Sequence, residues 1–308
     1  MRLRLIATGA VIALLAVLAN GCGKSPTSPA SVLSTPQSLV SATLASAVTL
    51  VDETLAEDTT SVVASASYGP AGLASAQAAV KPFTWFRNVT GLTRTWSYVF
   101  SDSDSLGHPR ACTATLQKHI TGNFVIVPVS PADSTKPDTS RILKTLDETL
   151  TRKVLLHRLA LAGGDQWKVV SLTGASVTTP GATTNIVSVR VQATSGVDTT
   201  ITDPTAWITL PTVLHFGPSD SVTVTVTTSR TNDVVYIHRW DWRHRLRNNG
   251  NGTYTISWVT TAWGGWRHFG IQAMSHGSLF DDTLPFDSQA WHLPFRVTGG
   301  QPSVTYYP

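Results

Sequence analysis

The chain has 308 residues, enough for one or two domains at about 150 residues each, and is 42% hydrophobic and 14% charged. This is too apolar for an intrinsically disordered chain and too poor in charge for a long coiled coil or a nucleic-acid-binding tail. With 23 Lys+Arg against 19 Asp+Glu the formal net charge is +4, so bulk charge calls for no polyanion, and no nucleic acid is expected among its partners.

Met1-Arg2-Leu3-Arg4 is a short basic start, and Leu5 to Ala19 is apolar apart from Thr8 and Gly9, the layout of a secretory signal peptide. As a helix this run spans only about 22 Å, short of the roughly 30 Å hydrocarbon core of a bilayer. It ends Leu18-Ala19-Asn20-Gly21-Cys22, which resembles the bacterial lipobox, with Gly21 and Cys22 in place. That resemblance implies removal of residues 1–21 and acylation of Cys22, which makes a lipid bilayer a partner and places the protein in the bacterial cell envelope. The outer membrane is the expected site, on its periplasmic or surface face. Ordinary signal cleavage after the small-x-small triplet Ala19-Asn20-Gly21 is the alternative. Residues 22–37 include Gly23-Lys24-Ser25-Pro26-Thr27-Ser28-Pro29, a composition suited to a tether between anchor and folded domain. With Cys22 acylated, Cys112 is the only thiol left and no intrachain disulfide can form. Within 111–116 it shares a strand face with Ala114 and Leu116, the position of a buried, inert thiol.

Residues 38–176 are expected to form a first domain. Val40, Leu44, Ala47, Val48, Val51 and Leu55 line one face of a helix, with Pro36 and Ser38 at its entry. A weaker helical or irregular piece covers 64–80. Strands are expected at 92–100, 110–120, 123–129, 141–146, 151–162 and 166–177, separated by Asp102-Ser103-Asp104, Thr121-Gly122-Asn123 and Gly163-Gly164-Asp165. A helix followed by a strand meander is an α+β pattern. In that order, with Ala114-Thr115-Leu116-Gln117 leading to Gly122 and a closing hairpin into Trp167-Lys168-Val169-Val170-Ser171, it resembles the NTF2-like, cystatin-related cone of many exported bacterial proteins. The resemblance implies a helix-covered curved sheet with a concave pocket; that fold has no universal catalytic motif, so no functional residue is carried over.

Residues 177–184, with a Pro180-Gly181 turn and no large side chain beyond Val177, are the expected linker. The charge chemistry changes there: residues 177–308 hold 8 Arg and 8 Asp with no Lys or Glu. Strands at 185–191, 212–216, 221–228, 234–246, 253–260, 266–274 and 289–297 make 185–308 an all-β domain, similar in architecture to an immunoglobulin-like sandwich. The run 234–246 is read as one strand, with His238, Trp240, Trp242 and His244 on a core face and Arg239, Asp241, Arg243 and Arg245 solvated. Asn248-Asn249-Gly250-Asn251-Gly252 is the hairpin to the next strand.

No Gly-x-Ser-x-Gly, His-Glu-x-x-His, Walker loop, Gly-x-Gly-x-x-Gly or Cys-x-x-Cys occurs, which disfavours an enzyme without excluding a site assembled from distant strands. Asp281-Asp282 with Asp287 lacks EF-hand spacing and is read as a solvated turn in which Asp282 bonds the backbone before Pro285. His215, His268, His276 and His292 show no ligand-pair spacing, so neither a metal nor another cofactor is expected. Seven of the 10 Trp lie from Trp207 onward, and aromatic faces can stack on sugar rings. Trp263 and Trp266 flank Gly264-Gly265, with Arg267 and His268 beside them as hydrogen-bonding groups, and these four are the candidate ligand-binding residues. The leading expectation is a non-enzymatic, membrane-anchored binding or assembly module for a glycan or an envelope protein. Its alternatives are a carbohydrate-binding or carbohydrate-processing accessory protein, or a hydrolase using the cone pocket.

Overall fold

The computed structural model describes residues 35–51, 54–64, 79–161, 164–239 and 242–299. The leader, Cys22, most of the tether, most of the 64–80 piece and the Trp240-Asp241 pair lie outside the described residues.

Thr35 caps α1 (Pro36–Ser46), its hydroxyl accepting from the Ser38 amide at 3.2 Å, with Pro36 at the first helical position, the position where a missing N–H costs nothing. Ala47 leaves helical geometry, α2 (Val48–Val51) resumes, and a single 3-10 turn covers Leu55–Glu57. That break rotates the expected apolar stripe. Val40, Leu44, Ala47 and Val51 are buried as expected, but Val48 is 44% exposed and Leu50 faces inward in its place.

A short β1 (Val62–Val63) is followed by three very long strands, β2 (Pro82–Ser103), β3 (Pro109–Pro128) and β4 (Ile142–Leu161). Two expected breaks are absent. Gly122 does not turn the chain but sits inside β3, opposite a bulge between Val89 and Gly91 of β2. A Cβ on Gly122 would lie 2.0 Å from the Asn88 carbonyl oxygen, and its φ is +154°, so glycine serves here for close approach of two backbones. Likewise 147–150 continues β4 instead of connecting two strands. The hairpin at Asp104 forms as expected, its Oδ1 accepting from the Leu106 and His108 amides at 2.9 Å each.

β5 (Gly164–Leu172) returns along β4, and after Thr173-Gly174 the chain enters β6 (Ala175–Thr178). β7 (Ile186–Ala193), β8 (Asp198–Ile201), β9 (Ile208–Thr209), β10 (Leu214–Phe216) and β11 (Ser221–Thr228) come next. They are followed by β12 (Val234–Arg239), β13 (Trp242–Arg245), β14 (Arg247–Asn248), β15 (Thr253–Val259) and β16 (Gly265–Met274). The short α3 (His276–Phe280) and β17 (Ser288–Val297) close the described chain. The turn before Pro285 is capped by Asp281 rather than Asp282, its Oδ1 accepting from the Thr283 and Leu284 amides at 2.7 and 3.0 Å.

The expected α+β NTF2-like cone followed by an immunoglobulin-like sandwich is not what forms. Of the described residues 58% are strand and 11% helix, with a nearly closed antiparallel sheet and a second sheet, and among them only α1 reaches seven residues as a helix. So short a helix cannot cover one face of a sheet built on twenty-residue strands. The main sheet runs β1-β2-β3-β4-β6-β17-β16-β12-β13, and the second β14-β15-β11-β7-β8. Residues 177–184 begin inside the main sheet, where Val177 pairs with Leu150 on one side and Ala290 on the other. Thr179 and Thr184 are buried. The strands next to the two edges, β2 and β12, approach through side chains, with the Trp85 indole donating to the Tyr236 hydroxyl at 3.1 Å.

β12, β16 and β17 are covered on both faces. One face packs Val235, Ile237, Phe269, Ile271, Leu293 and Phe295 against Val189, Val191, Val222, Val224 and Val226 of the second sheet, which explains their near-continuous apolar runs. The opposite face looks into the main sheet's interior, where Trp85, Leu116, Ile120, Phe124, Leu146 and Leu150 form one apolar cluster. Cys112, Ala114, Val154 and Leu156 form another with α1 and α2. Cys112 is buried as expected, and burial pushes its thiol up to about 11.

The arginine-rich 234–246 run is not one strand. β12 and β13 pair with each other antiparallel, Arg239 opposite Trp242 and His238 opposite Arg243. Directly opposed residues share a face. Arg239 therefore stacks over Trp242 and Trp258, at 4.9 and 4.8 Å. Arg243, expected in solvent, turns inward instead, with its guanidinium 5.3 Å from the centre of the buried Trp85 ring.

Candidate functional site

Alternation along β4 puts Lys144, Glu148 and Arg152 on the same inward face as Leu146, Leu150 and Val154. All six are at most 5% exposed. Arg87 from β2, Lys118 from β3, His238 from β12 and His292 from β17 point into the same interior and are also buried. A buried charge is costly unless it is paired or hydrogen-bonded, and the three charges of β4 each have such partners. Glu148 accepts from Arg87 and, through Oε1, from the Ser288 hydroxyl at 2.9 Å. Arg152 donates to His268 Nε2 at 3.2 Å and to the His292 carbonyl at 3.3 Å. Lys144 sits apart, with its ammonium on the Gly277 and Asp281 carbonyls at 2.7 and 2.6 Å.

Other partners come from the turn after α2. Arg87 donates to the Ala56 carbonyl and Lys118 pairs with Glu57. Asp58 Oδ2 lies 2.9 Å from His238 Nε2 and 3.3 Å from Arg243 Nη2. The same Nη2 donates to the Asp58 carbonyl at 3.2 Å. Burial alone would raise the Asp58 carboxyl, but hydrogen bonds from His238 and Thr60, with the Arg243 charge, hold it well below the usual carboxylate range. Burial, with the nearby Arg87 charge, pulls Arg243 down to about 10. His292 and His268 are pushed well below the ordinary imidazole range, first by burial and then by surrounding cations and imidazoles. Gly270 makes room for this packing: a Cβ there would meet the His292 ring at 2.8 Å.

Between Arg87, Glu148, His238, Arg243, Gln272 and His292 lies a cavity of about 10 Å³, the size of a single water. The His238–Asp58 contact supplies the imidazole–carboxylate pair that a hydrolase could use. Among the described residues no hydroxyl or thiol hydrogen-bonds to the His238 ring.

No family model, curated protein or solved structure matches this chain.

A second feature lies on the α1 side. An open groove of about 660 Å³ is lined by Leu39, Leu50, Trp167, Leu210 and Trp266, with Asp165, Gln166 and Lys168 also bordering it. The four candidate ligand residues do not converge on one place. Trp263 is 65% exposed and outside both groove and cavity. Trp266 lines the groove, with the Arg296 guanidinium 5.7 Å from its ring centre. His268 joins Arg152 in the charged interior. Arg267 falls on the opposite side of β16, paired across to Phe295, because strand alternation separates neighbours in sequence.

Sequence reasoning missed Arg87, Lys118, Glu148, Arg152 and the inward role of Arg243. The available signal was Lys144-x-x-x-Glu148-x-x-x-Arg152, three charges four apart in the apolar register of a strand. Placing a connection at 147–150 hid it.

Proposed function

We propose that this protein is a bacterial envelope lipoprotein, anchored in a bilayer through acylated Cys22, and that it acts as a non-enzymatic binding module for a glycan. The observation that carries the reading is the groove, where an apolar floor with two indoles is bordered by an acid, an amide and an amine. Binding sites for amphipathic small ligands combine an apolar lining with a few polar groups in this way, and pyranose C–H faces suit indole faces.

Cys22 is expected to carry an acyl mass when the protein is taken from its native membrane and analysed by mass spectrometry. A free Cys22 amine would remove the anchor from the reading. On an oligosaccharide array the wild-type chain is expected to bind, and Trp266→Ala to weaken that binding at least tenfold while its unfolding stays cooperative. Equal binding by the variant, or none by the wild type, would remove the groove.

A further inference from the structure

Arg87, His238 and Arg243 reach the small interior cavity from three different strands, and each has a partner in the Leu55–Asp58 turn. The Ala56 carbonyl takes Arg87 Nη1, the Asp58 carboxylate lies against His238 Nε2 and Arg243 Nη2, and the Asp58 carbonyl takes Arg243 Nη2 as well. Every acceptor that the described residues offer Arg243 comes from Asp58. The turn therefore fills the place of a ligand: a carboxylate and two carbonyls set against two guanidinium groups and an imidazole.

That filling is incomplete. Arg87 Nε, Arg243 Nε and Arg243 Nη1 are buried with no hydrogen-bond partner among the described residues, although the Arg87 and Arg243 side chains are each only 3% exposed. Buried donors without acceptors are costly. Glu148 takes Arg87 Nη2, yet the three N–H groups just named remain without an acceptor beside the Asp58 carboxylate. A tetrahedral phosphate offers acceptors in more directions, and guanidinium forks match it bidentately. The cavity beside Asp58, about 10 Å³, is too small for such an ion while the turn is in place.

We infer that Arg87, His238 and Arg243 form a binding site for a small oxyanion of the phosphate class, which Asp58 occupies as an internal stand-in and which opens when Leu55–Asp58 is displaced. Withdrawing Asp58 without replacing it leaves the Arg243 charge buried and uncompensated, so opening and anion entry are coupled. Lys118 and Glu57 follow the same movement, since Glu57 leaves with the turn.

The test titrates the full chain with inorganic phosphate, by calorimetry and by hydrogen exchange. Asp58→Asn, which removes the competing charge but keeps the side chain's size, is expected to bind phosphate at least tenfold more tightly than the wild type. Adding Arg243→Gln to that variant is expected to abolish the gain. In the wild type, millimolar phosphate is expected to speed exchange of the amides at 55–60 and slow exchange in β12 and β13. Phosphate affinity unchanged by Asp58→Asn, or surviving Arg243→Gln, would overturn the inference. Acetate binding as tightly as phosphate would overturn the phosphate class. Should Asp58→Asn fail to fold, an unchanged exchange pattern in the wild type overturns it by itself. Trp266 lies outside this site, so failure of glycan binding at the groove leaves these outcomes unaffected.

Discussion

Glu148→Ala is expected to destabilise the protein by roughly 3–5 kcal/mol, the cost of breaking a buried ion pair by removing one partner. Glu148 is 1% exposed and Arg87 3%, so water does not replace the lost carboxylate. The substitution strands the Arg87 guanidinium, whose Nε already lacks a partner, and takes the acceptor from the Ser288 hydroxyl. Replacing both partners together, as Arg87→Met with Glu148→Leu, removes the stranded charge as well as the pair. Such swaps are often neutral or stabilising, and the double variant is expected to recover most of the loss. Urea unfolding of the wild type, the single variant and the double variant measures this directly. A single-variant cost below about 1 kcal/mol, the range of exposed pairs, would mean that water reaches the interior.

Stability is expected to fall steeply as the pH drops below about 6.5, the ordinary histidine value. His238, His268 and His292 all have folded-state values below it, in each case chiefly because burial disfavours the charged ring. The sign follows from linkage. Between the folded and unfolded values the unfolded chain binds the proton and the folded one does not, so stability is complete above the unfolded value and is lost as pH decreases. Each such histidine contributes a slope of up to about 1.4 kcal/mol per pH unit. Asp58 does not oppose the trend there, because its hydrogen bonds keep it ionised far below this window. Denaturant melts at pH 7.5, 6.0 and 5.0 would show the decline, and His292→Gln should flatten it. A pH-independent midpoint over that range would contradict the burial of these rings.

Where a stretch is a single strand with one alternating pattern, its sequence was sufficient. Ser221–Thr228 alternates Val and Thr and forms β11 as expected, and β15, β16 and β17 lie within a residue or so of their expected bounds. The Asp104 turn and the inward position of Cys112 were legible for the same reason, since both follow from backbone geometry over a few residues. Legibility failed where local signals are ambiguous. Gly122 signals a turn, yet it permits a close backbone contact inside a long strand. His238 to Leu246 alternates as if along one strand, but β12 and β13 pair antiparallel with Arg243 opposite His238, so the parity reverses and Arg243 enters the interior beside His238.

The inward-facing charges belong to both levels. Backbone alternation within β4 determines by itself that Lys144, Glu148 and Arg152 share a face with leucine and valine. Nothing within β4 determines what those charges meet. Glu148 finds Arg87 and Ser288, 61 and 140 residues away in sequence. Val177 joins Leu150 to Ala290, and Trp85 reaches Tyr236 across the nearly closed sheet. Such pairings are set by the need to bury apolar faces and neutralise buried charge over the whole molecule. The sequence therefore determined which side chains turn inward along each unbroken strand, and the closure of the sheet decided which partners the charged ones meet.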